Sequence, residues 1–575
     1  MNKIKQARPE HPNPQFYREN WLNLNGVWEF ETDFSMSGRD RKLYKAEKLK
    51  DKILVPFCPE SKLSGIENKD FLNSVWYRRE IDLTKDNLAG KVFLHFGAVD
   101  YESFLYINGA FVGSHKGGYS PFSFDIDPFA KVGKNTITLC ALDDIRNPLV
   151  PRGKQSEKYN SHACDYTRTT GIWQTVWLEF LSLDYIESVK YYPDPANSSL
   201  TVSAQLVGKG EFVAKAFYEG RLVGQARAQS SGGLLNINLA LAEKHLWELG
   251  QGRLYDLELT YGQDKVKSYF GLRDLRLEEG KFLINDKAIF QRLVLDQGFY
   301  PDGIYTAASD EDLKKDIEIS MAAGFNGARL HEKVFEPRFL YHCDKMGYIV
   351  WGEYPNWGLD YSNPAAIHAV LPEWCEVMER DFNHPSIVGW CPFNETWDYD
   401  GRRQNDDLIK LVYETTKLLD PTRPCIDTSG NYHVKTDIYD VHDYEQDPKI
   451  FKEHYDLLAE EGVLFDKVNH NEGRIRQVYK GQPVFVSEYG GILWSPGRTD
   501  GWGYGQGPKT EEEFFERYRG LTLALLNNKK ILGFCYTQLY DIEQEQNGLY
   551  TYEREAKFDM DIIKEINTAK AAIEE

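Results

Sequence analysis

The chain has 575 residues, too many for one ordinary domain and enough for about three or four, and its 42% apolar and 27% charged composition suits a globular protein with a large core. Its net charge of −20 repels phosphate backbones, and it has no dense basic block of the kind that binds RNA or acidic lipid, so nucleic acid is excluded as a partner. Aromatic residues reach 14%, which fits either strands built on Tyr and Trp or a surface that stacks sugar rings; composition alone favours the strands.

The chain opens MNKIKQARPEHPNPQFYREN, charged but with no apolar stretch after it, so it does not read as a secretory leader. No apolar run approaches the roughly 18 residues of a membrane span, so no membrane association is expected. From about Trp21 to Leu183 the sequence is strand-like and turn-rich, with alternating segments such as VWEFETDF, KVFLHFGAV and NTITLCAL. Asn108-Gly109 is a hairpin signal inside this stretch. Residues 1–183 are therefore expected to form a β sandwich or jelly roll. Shorter, plainer strands follow between Asp184 and Leu272, and residues 184–272 read as an immunoglobulin-like sandwich.

From Arg273 strands and helices alternate. Eight candidate strands are Phe290–Gln297, Asn326–His331, Tyr348–Pro355, Ile387–Glu395, Pro424–Thr428, Asp437–Tyr444, Pro483–Tyr489 and Ile531–Leu539. Stretches such as DEDLKKDIEISMAAG, PRFLYHCDKMG, LIKLVYETTKLLD and TEEEFFERYRGLTLALLNN carry apolar residues at helical spacing, and Gly324 and Gly347 fall where helices should end. The link between the fifth and sixth strands is too short for a good helix. This pattern predicts a (β/α)₈ barrel over residues 273–575. The eight cysteines, Cys58, Cys140, Cys164, Cys343, Cys375, Cys391, Cys425 and Cys535, show no Cys-x-x-Cys or zinc-like spacing and read as free thiols in a reducing compartment, which points to the cytoplasm.

Such barrels place their chemistry at the C-terminal ends of the strands. The fourth candidate strand ends in Cys391-Pro392-Phe393-Asn394-Glu395 and the seventh in Ser487-Glu488-Tyr489. A glycosidic bond opens with retention between two carboxyl groups about 5–5.5 Å apart, one protonating the leaving oxygen and the other attacking the anomeric carbon. Glu395 and Glu488 are placed for that pair.

Around these two residues the chain resembles glycoside hydrolase family 2, the β-galactosidase, β-glucuronidase and β-mannosidase family. Asn383-His384-Pro385-Ser386-Ile387-Val388-Gly389-Trp390 with Asn394-Glu395 is similar to the family's acid/base signature, and Pro483-Val484-Phe485-Val486-Ser487-Glu488-Tyr489-Gly490 to its nucleophile strand. Asn25-Gly26-Val27-Trp28 and Gly171-Ile172-Trp173 fit its first module, and the resemblance covers nearly the whole chain. It implies Glu395 as acid/base and Glu488 as nucleophile, Asn394 as a sugar 2-hydroxyl ligand, and Tyr444 beside the nucleophile. It further implies Arg329 and His331 at the second strand's end, His442 as a polar sugar contact, and either Asp143 or Asp144 as an Asp reaching in from the first domain. Glu395 must hold a proton near neutral pH, so its surroundings are expected to raise its pKa.

Two departures bear on the sugar. Thr537 stands where the family usually has a Trp floor, leaving Trp494, Trp357 and Trp502 as candidate platforms. Glu545 and Asn547 stand where β-glucuronidases carry the Asn-x-Lys pair that holds the sugar carboxylate. A neutral sugar, most simply a β-galactoside, is the expectation, with β-glucuronide, β-mannoside or a pentoside as alternatives and a non-catalytic carbohydrate-binding protein as a further one. The family's magnesium ligands are incomplete, so no metal and no other cofactor is expected. The partner is a carbohydrate, and a homo-oligomer is left open.

Overall fold

The structure is a computed structural model that describes residues 7–396, 401–430, 432–465, 478–497 and 500–574. Two antiparallel sheets face each other in the first part of the chain. One runs Trp21–Asn23, Val176–Leu181, Lys91–Phe96, Phe122–Asp125; the other runs Asp51–Val55, Gly26–Thr32, Ser74–Leu83, Gly133–Leu142, Glu102–Ile107, Ala110–Lys116. Their alternating apolar residues, among them Trp28, Leu94, Leu105, Leu139 and Val176, interlock as one core. Asn108 and Gly109 turn the hairpin with φ of 53° and 77°, the left-handed pair that a two-residue primed turn requires.

A second sandwich follows, with three strands (Tyr185–Asp194, Ser199–Val207, Gly233–Ala240) against four (Arg221–Ser230, Gly210–Tyr218, Leu254–Tyr261, Asp264–Gly271). A small antiparallel sheet, Leu275–Glu278, Lys281–Ile284 and Lys287–Ile289, then precedes the barrel. The domain expected from residue 273 thus opens on this small sheet, and its first barrel strand starts at Gln291.

The barrel strands are Gln291–Asp296, Gly327–Leu330, Ile349–Glu353, Ile387–Cys391, Tyr439–Asp443, Val484–Gly490 and Ile531–Thr537, and they form one curled parallel sheet. Their residues are almost all buried, as expected of strands covered on both faces. The eighth position, expected at Pro424–Thr428, is occupied by that segment through single parallel bridges, Trp390 to Cys425 and Asn394 to Ser429. Helices α1 (Asp310–Ala322), α2 (Pro337–Met346), α3 (Ile367–Asp381), α4 (Asp406–Leu419), α5 (Pro448–Glu461), α6 (Glu511–Leu526) and α7 (Met560–Asn567) pack outside. Ser309 and Asp312 form a reciprocal capping box at the start of α1, and Gly347 ends α2 at φ 69°.

Two segments tie the sandwiches to the barrel. Near the N-terminus, the buried Arg18 pairs with Glu179 of the first sandwich and Asp264 of the second, and Arg8 makes a two-pronged pair with Glu336 of the barrel. The stretch 143–170, which follows strand Gly133–Leu142, crosses the barrel mouth. Along it Arg152 N donates to Trp357 O at 2.8 Å, Asp360 N to Pro148 O at 2.8 Å, and Gln544 Nε2 to Ala163 O at 2.7 Å. Gly153, at φ 55°, lies so close to the barrel that a Cβ would stand 2.4 Å from Glu332 O. This crossing sets one wall of the mouth.

All eight cysteines are free thiols, and no helix among the described residues is long and apolar enough to cross a membrane.

Candidate active site

The C-terminal ends of the barrel strands converge on a buried polar cluster. Arg329, from the second strand, is its hub. Its Nε donates to Glu353 Oε1 at 2.6 Å, its Nη1 to Glu488 Oε1 at 3.1 Å and to Ser487 O at 2.7 Å, and its Nη2 to Asn394 Oδ1 at 3.1 Å. One guanidinium thus fixes groups from the third, fourth and seventh strand positions, which its planar fork of donors suits. His331 Nδ1 lies 3.2 Å from the second oxygen of Glu353, and burial together with the charges of Lys154 and Arg329 holds this imidazole well below its ordinary pKa, hence neutral.

Glu488 is aimed by an irregularity in its strand. Val441 pairs with Val486 but His442 pairs with Glu488, so one extra residue, Ser487, bulges between them. Ser487 Oγ donates to the buried Asp440, and Glu488 turns into the mouth. Tyr444 OH donates to Glu488 Oε2, stands 3.1 Å from Thr537 Oγ1, and stacks its ring on Tyr504 at 3.4 Å. Thr537 therefore uses the space expected for an aromatic floor to hold the tyrosine.

Glu395 leaves the fourth strand with φ 44°, a left-handed conformation that costs a non-glycine residue about 1–2 kcal/mol and is tolerated where the surroundings dictate it. Its backbone N–H donates to Ser429 O at 2.9 Å, and its Oε1 lies 2.6 Å from His442 Nδ1. His442 Nδ1 is also 3.4 Å from Glu488 Oε2, and its Nε2 is 2.9 Å from Ser429 Oγ. Oxygens of Glu395 and Glu488 and a nitrogen of His442 lie within 4.8 Å of one another. Gly430, at φ 92°, packs beneath the pair. A Cβ there would stand 2.8 Å from His442 Nδ1 and 3.1 Å from Glu395 Cγ.

The protonation of this pair differs from the sequence expectation. Burial pushes the Glu395 carboxyl up, but the hydrogen bond and charge of His442, with the charges of Lys154 and Arg329, outweigh it and hold the group below its ordinary value. Burial pulls His442 down, and Glu488 and Glu395 more than restore it. The free site therefore keeps one proton on the Glu395–His442 pair, chiefly on the imidazole. Glu395 is not raised by itself, because a cation sits 2.6 Å away.

Asn394 is locked in place: Asn356 Oδ1 accepts from its backbone N–H at 2.6 Å, and its Oδ1 takes the Arg329 bond. Its buried Nδ2 has no partner among the described residues and is free to meet an acceptor.

Three expected residues lie elsewhere. Asp143 points into a separate buried acidic pocket beside Glu60, where Thr170 Oγ1 donates to it at 3.5 Å, and burial raises it to about 8. Asp144 is exposed. Trp494 packs against Phe514 and Phe558, away from the carboxylates. The first domain instead sends Lys154, Cys164 and Tyr166 to the mouth. Lys154 is 3.5 Å from the centre of the Trp357 ring, and Tyr166 OH donates to Glu545 Oε2. Glu545 also accepts from Asn547 Nδ2 at 2.9 Å, and burial raises it to about 7. Glu353 and Lys154 were not singled out from the sequence; each is an ordinary charged residue until the fold surrounds it. Among the described residues two acidic clusters could geometrically hold a cation, Glu157 with His162 and Asp165, and Glu395 with His442 and Glu488. In the second, donors from Arg329 and Tyr444 already occupy both Glu488 oxygens.

A pair of buried carboxyl groups this close, at the mouth of a parallel barrel, defines a hydrolase of glycosidic bonds. The chain belongs to glycoside hydrolase family 2: residues 61–180 match the family's sugar binding domain and residues 275–502 its TIM barrel domain. It is 24% identical to a β-glucuronidase of Streptococcus agalactiae, with 94% of each chain covered. It is 26% identical to a β-galactosidase of Thermoanaerobacter pseudethanolicus over 62% of this chain and 49% of that one. The solved structure of a Lactobacillus rhamnosus β-glucuronidase has the same fold, with a TM-score of 0.80, 19% identity, and 99% and 100% of the two chains covered.

Proposed function

We propose that the chain is a retaining exo-β-glycosidase that acts on β-glucuronides, with Glu488 as nucleophile and Glu395 as acid/base. The observation that carries the catalytic half is the approach of the two carboxyl groups within 4.8 Å, near the spacing of retaining enzymes and too close for the intervening water of inverting ones. Glu488, fixed by Arg329 and Tyr444, attacks the anomeric carbon. Glu395 takes the proton shared with His442 and passes it to the leaving oxygen. It then accepts a proton from the water that releases the sugar, so the β configuration is kept. Asn394 Nδ2 is the donor available to a ring hydroxyl.

Two observations support a glucuronide over the neutral sugar expected from the sequence. Relatives that span nearly the whole chain carry the name β-glucuronidase. The repulsion expected from Glu545 is also weak, because that carboxyl is bonded to Tyr166 and Asn547 and raised to about 7. A β-galactoside is the second reading, favoured by Asn547 in place of the lysine that glucuronidases carry in this loop. Nitrophenyl β-glycosides of glucuronic acid, galactose, glucose, mannose, xylose and arabinose, with Glu488→Gln as blank, decide between them. Glucuronide turnover lost in the variant supports the proposal; galactoside turnover alone replaces the sugar; full activity in Glu488→Gln removes the nucleophile. Glu395→Gln should hurt poor leaving groups most.

A further inference from the structure

The stretch that the first domain lays across the barrel mouth delivers a cation with nothing to bind. Lys154 is 5% exposed. Its ammonium stands 3.5 Å from the centre of the Trp357 ring, and it has no hydrogen bond or ion pair with any described residue. An ammonium on a mostly buried side chain, with only a ring face against it, is open to an anion. Burial pulls its pKa down, yet the carboxyl groups of Glu545, Asp165 and Glu395 act on it through charge and together keep it protonated.

Its position is fixed from several sides. Tyr166 N donates to Lys154 O at 2.7 Å while Tyr166 OH donates to Glu545 in the loop after the last barrel strand, and Trp357, whose ring lies against the ammonium, donates its backbone N–H to Glu332 at 3.1 Å; the charge of Lys154 also acts on Glu395 and His331 at the carboxylate pair. It therefore lies between the acid/base and that loop, on the side where the sugar ring must sit if its anomeric carbon is to reach Glu488. Three of the neighbouring acids are tied up, while Glu332 accepts from Trp357 N at 3.1 Å and keeps Oε1 without a partner among the described residues. Glu545 is bonded to Tyr166 and Asn547, Asp165 is paired with Arg152 at 2.5 Å, and Glu395 with His442 at 2.6 Å. None of these three folds over to neutralise the lysine, and its donors remain open to an anionic ligand.

We propose that Lys154 binds the carboxylate of a uronic acid in this site, so that the cation selecting an acidic sugar comes from the first domain and not from the barrel. A neutral hydroxymethyl group would offer the ammonium a hydrogen bond to a dipole, whereas a carboxylate adds a full opposite charge at the same distance. This inference rests on the glucuronide reading above.

The test uses the full-length enzyme and matched substrate pairs that differ only at the sixth carbon: nitrophenyl β-glucuronide with β-glucoside, and β-galacturonide with β-galactoside. In Lys154→Met, the ratio of kcat/KM on the uronide to kcat/KM on its neutral partner should fall about 100-fold, the effect of the lost charge on Glu395 being common to both and cancelling in the ratio; Lys154→Arg should restore part of the ratio. Melting temperatures report folding, and free D-glucuronate should raise the melting temperature of the wild type but not of Lys154→Met. Equal loss on both members of a pair, with a shifted pH profile, would mean that Lys154 only tunes Glu395, and overturns the proposal. Uronide turnover that survives Lys154→Met overturns the role of Lys154 and leaves the glucuronide reading standing. A wild type inert on both uronides but active on a neutral sugar overturns both.

Discussion

His442→Gln is the most informative single change in the site. The glutamine leaves room for a hydrogen bond to Glu395 but removes the ionisable ring. The bond it replaces is short, 2.6 Å, between groups that are 1% and 8% exposed, so it belongs at the upper end of the range for bonds to charged groups, about 1.5–3 kcal/mol. In the wild type the pair keeps its shared proton until the pH rises through the raised His442 value. In the variant Glu395 alone must keep it, buried but still facing Lys154 and Arg329, both of which favour the ionised form. The alkaline limb of kcat/KM should therefore move to lower pH. Near neutrality the loss should be about 10- to 150-fold, the equivalent of 1.5–3 kcal/mol, for substrates with poor leaving groups. Activated aryl glycosides, which need little acid help, should lose much less. The assay is the pH dependence of kcat/KM for a nitrophenyl and an alkyl glycoside of the same sugar. A limb that stays in place or moves to higher pH would refute the shared-proton argument.

Three further outcomes follow from the same geometry. Gly430→Ala should lower kcat/KM about 100-fold with a modest drop in melting temperature, because its Cβ would press on His442 Nδ1 at 2.8 Å while the backbone is held at φ 92°; unchanged kinetics would show that the pair can shift freely. His433, buried between Asp427 and Asp440 at 2.8 and 3.0 Å, is raised to about 10, so its contribution is complete below its ordinary value near 6.5 and is lost as pH rises through about 10. His433→Asn should cost about 3–5 kcal/mol in urea unfolding at pH 6 and visibly less by pH 10; a cost that does not vary with pH would contradict the pairing. Dialysis against a chelator should leave activity unchanged, since protein donors already occupy the Glu488 oxygens; loss restored by Mg²⁺ would contradict that.

The barrel was legible because parallel strands buried on both faces leave continuous apolar runs in the sequence, and Glu395 and Glu488 stand at the ends of two of them. Arg329, Asn394, Tyr444 and His442 converge on the same cluster as these two. The small sheet 275–289 escaped because its strands are only three or four residues long. Lys154 and Glu353 escaped for a different reason: a charged side chain carries no local mark of a partner far along the chain. One signal was available. The stretch 143–170 is far longer than a sandwich connection needs, and a long connection without regular structure is usually a functional one. Asp143 and Asp144 are its first two residues, and the strand Gly133–Leu142, which ends just before them, keeps them beside the sandwich. The protonation of Glu395 was out of reach too, since it depends on a bulge that brings His442 level with Glu488.

The crossing of the barrel mouth by residues 143–170 separates two kinds of change. The carboxylate pair and its Arg329 hub hang on barrel strands, where one substitution disturbs several bonds at once. The facing wall hangs on a sandwich with its own core, anchored to the barrel largely by backbone bonds such as Arg152 N to Trp357 O. Apart from Tyr166, whose hydroxyl bonds Glu545 and Gln297, side chains on that wall take little part in the bonds that hold it to the barrel. A barrel without this stretch would keep the strands that carry Glu395 and Glu488 and lose the facing wall that brings Lys154, Cys164 and Tyr166 to the mouth.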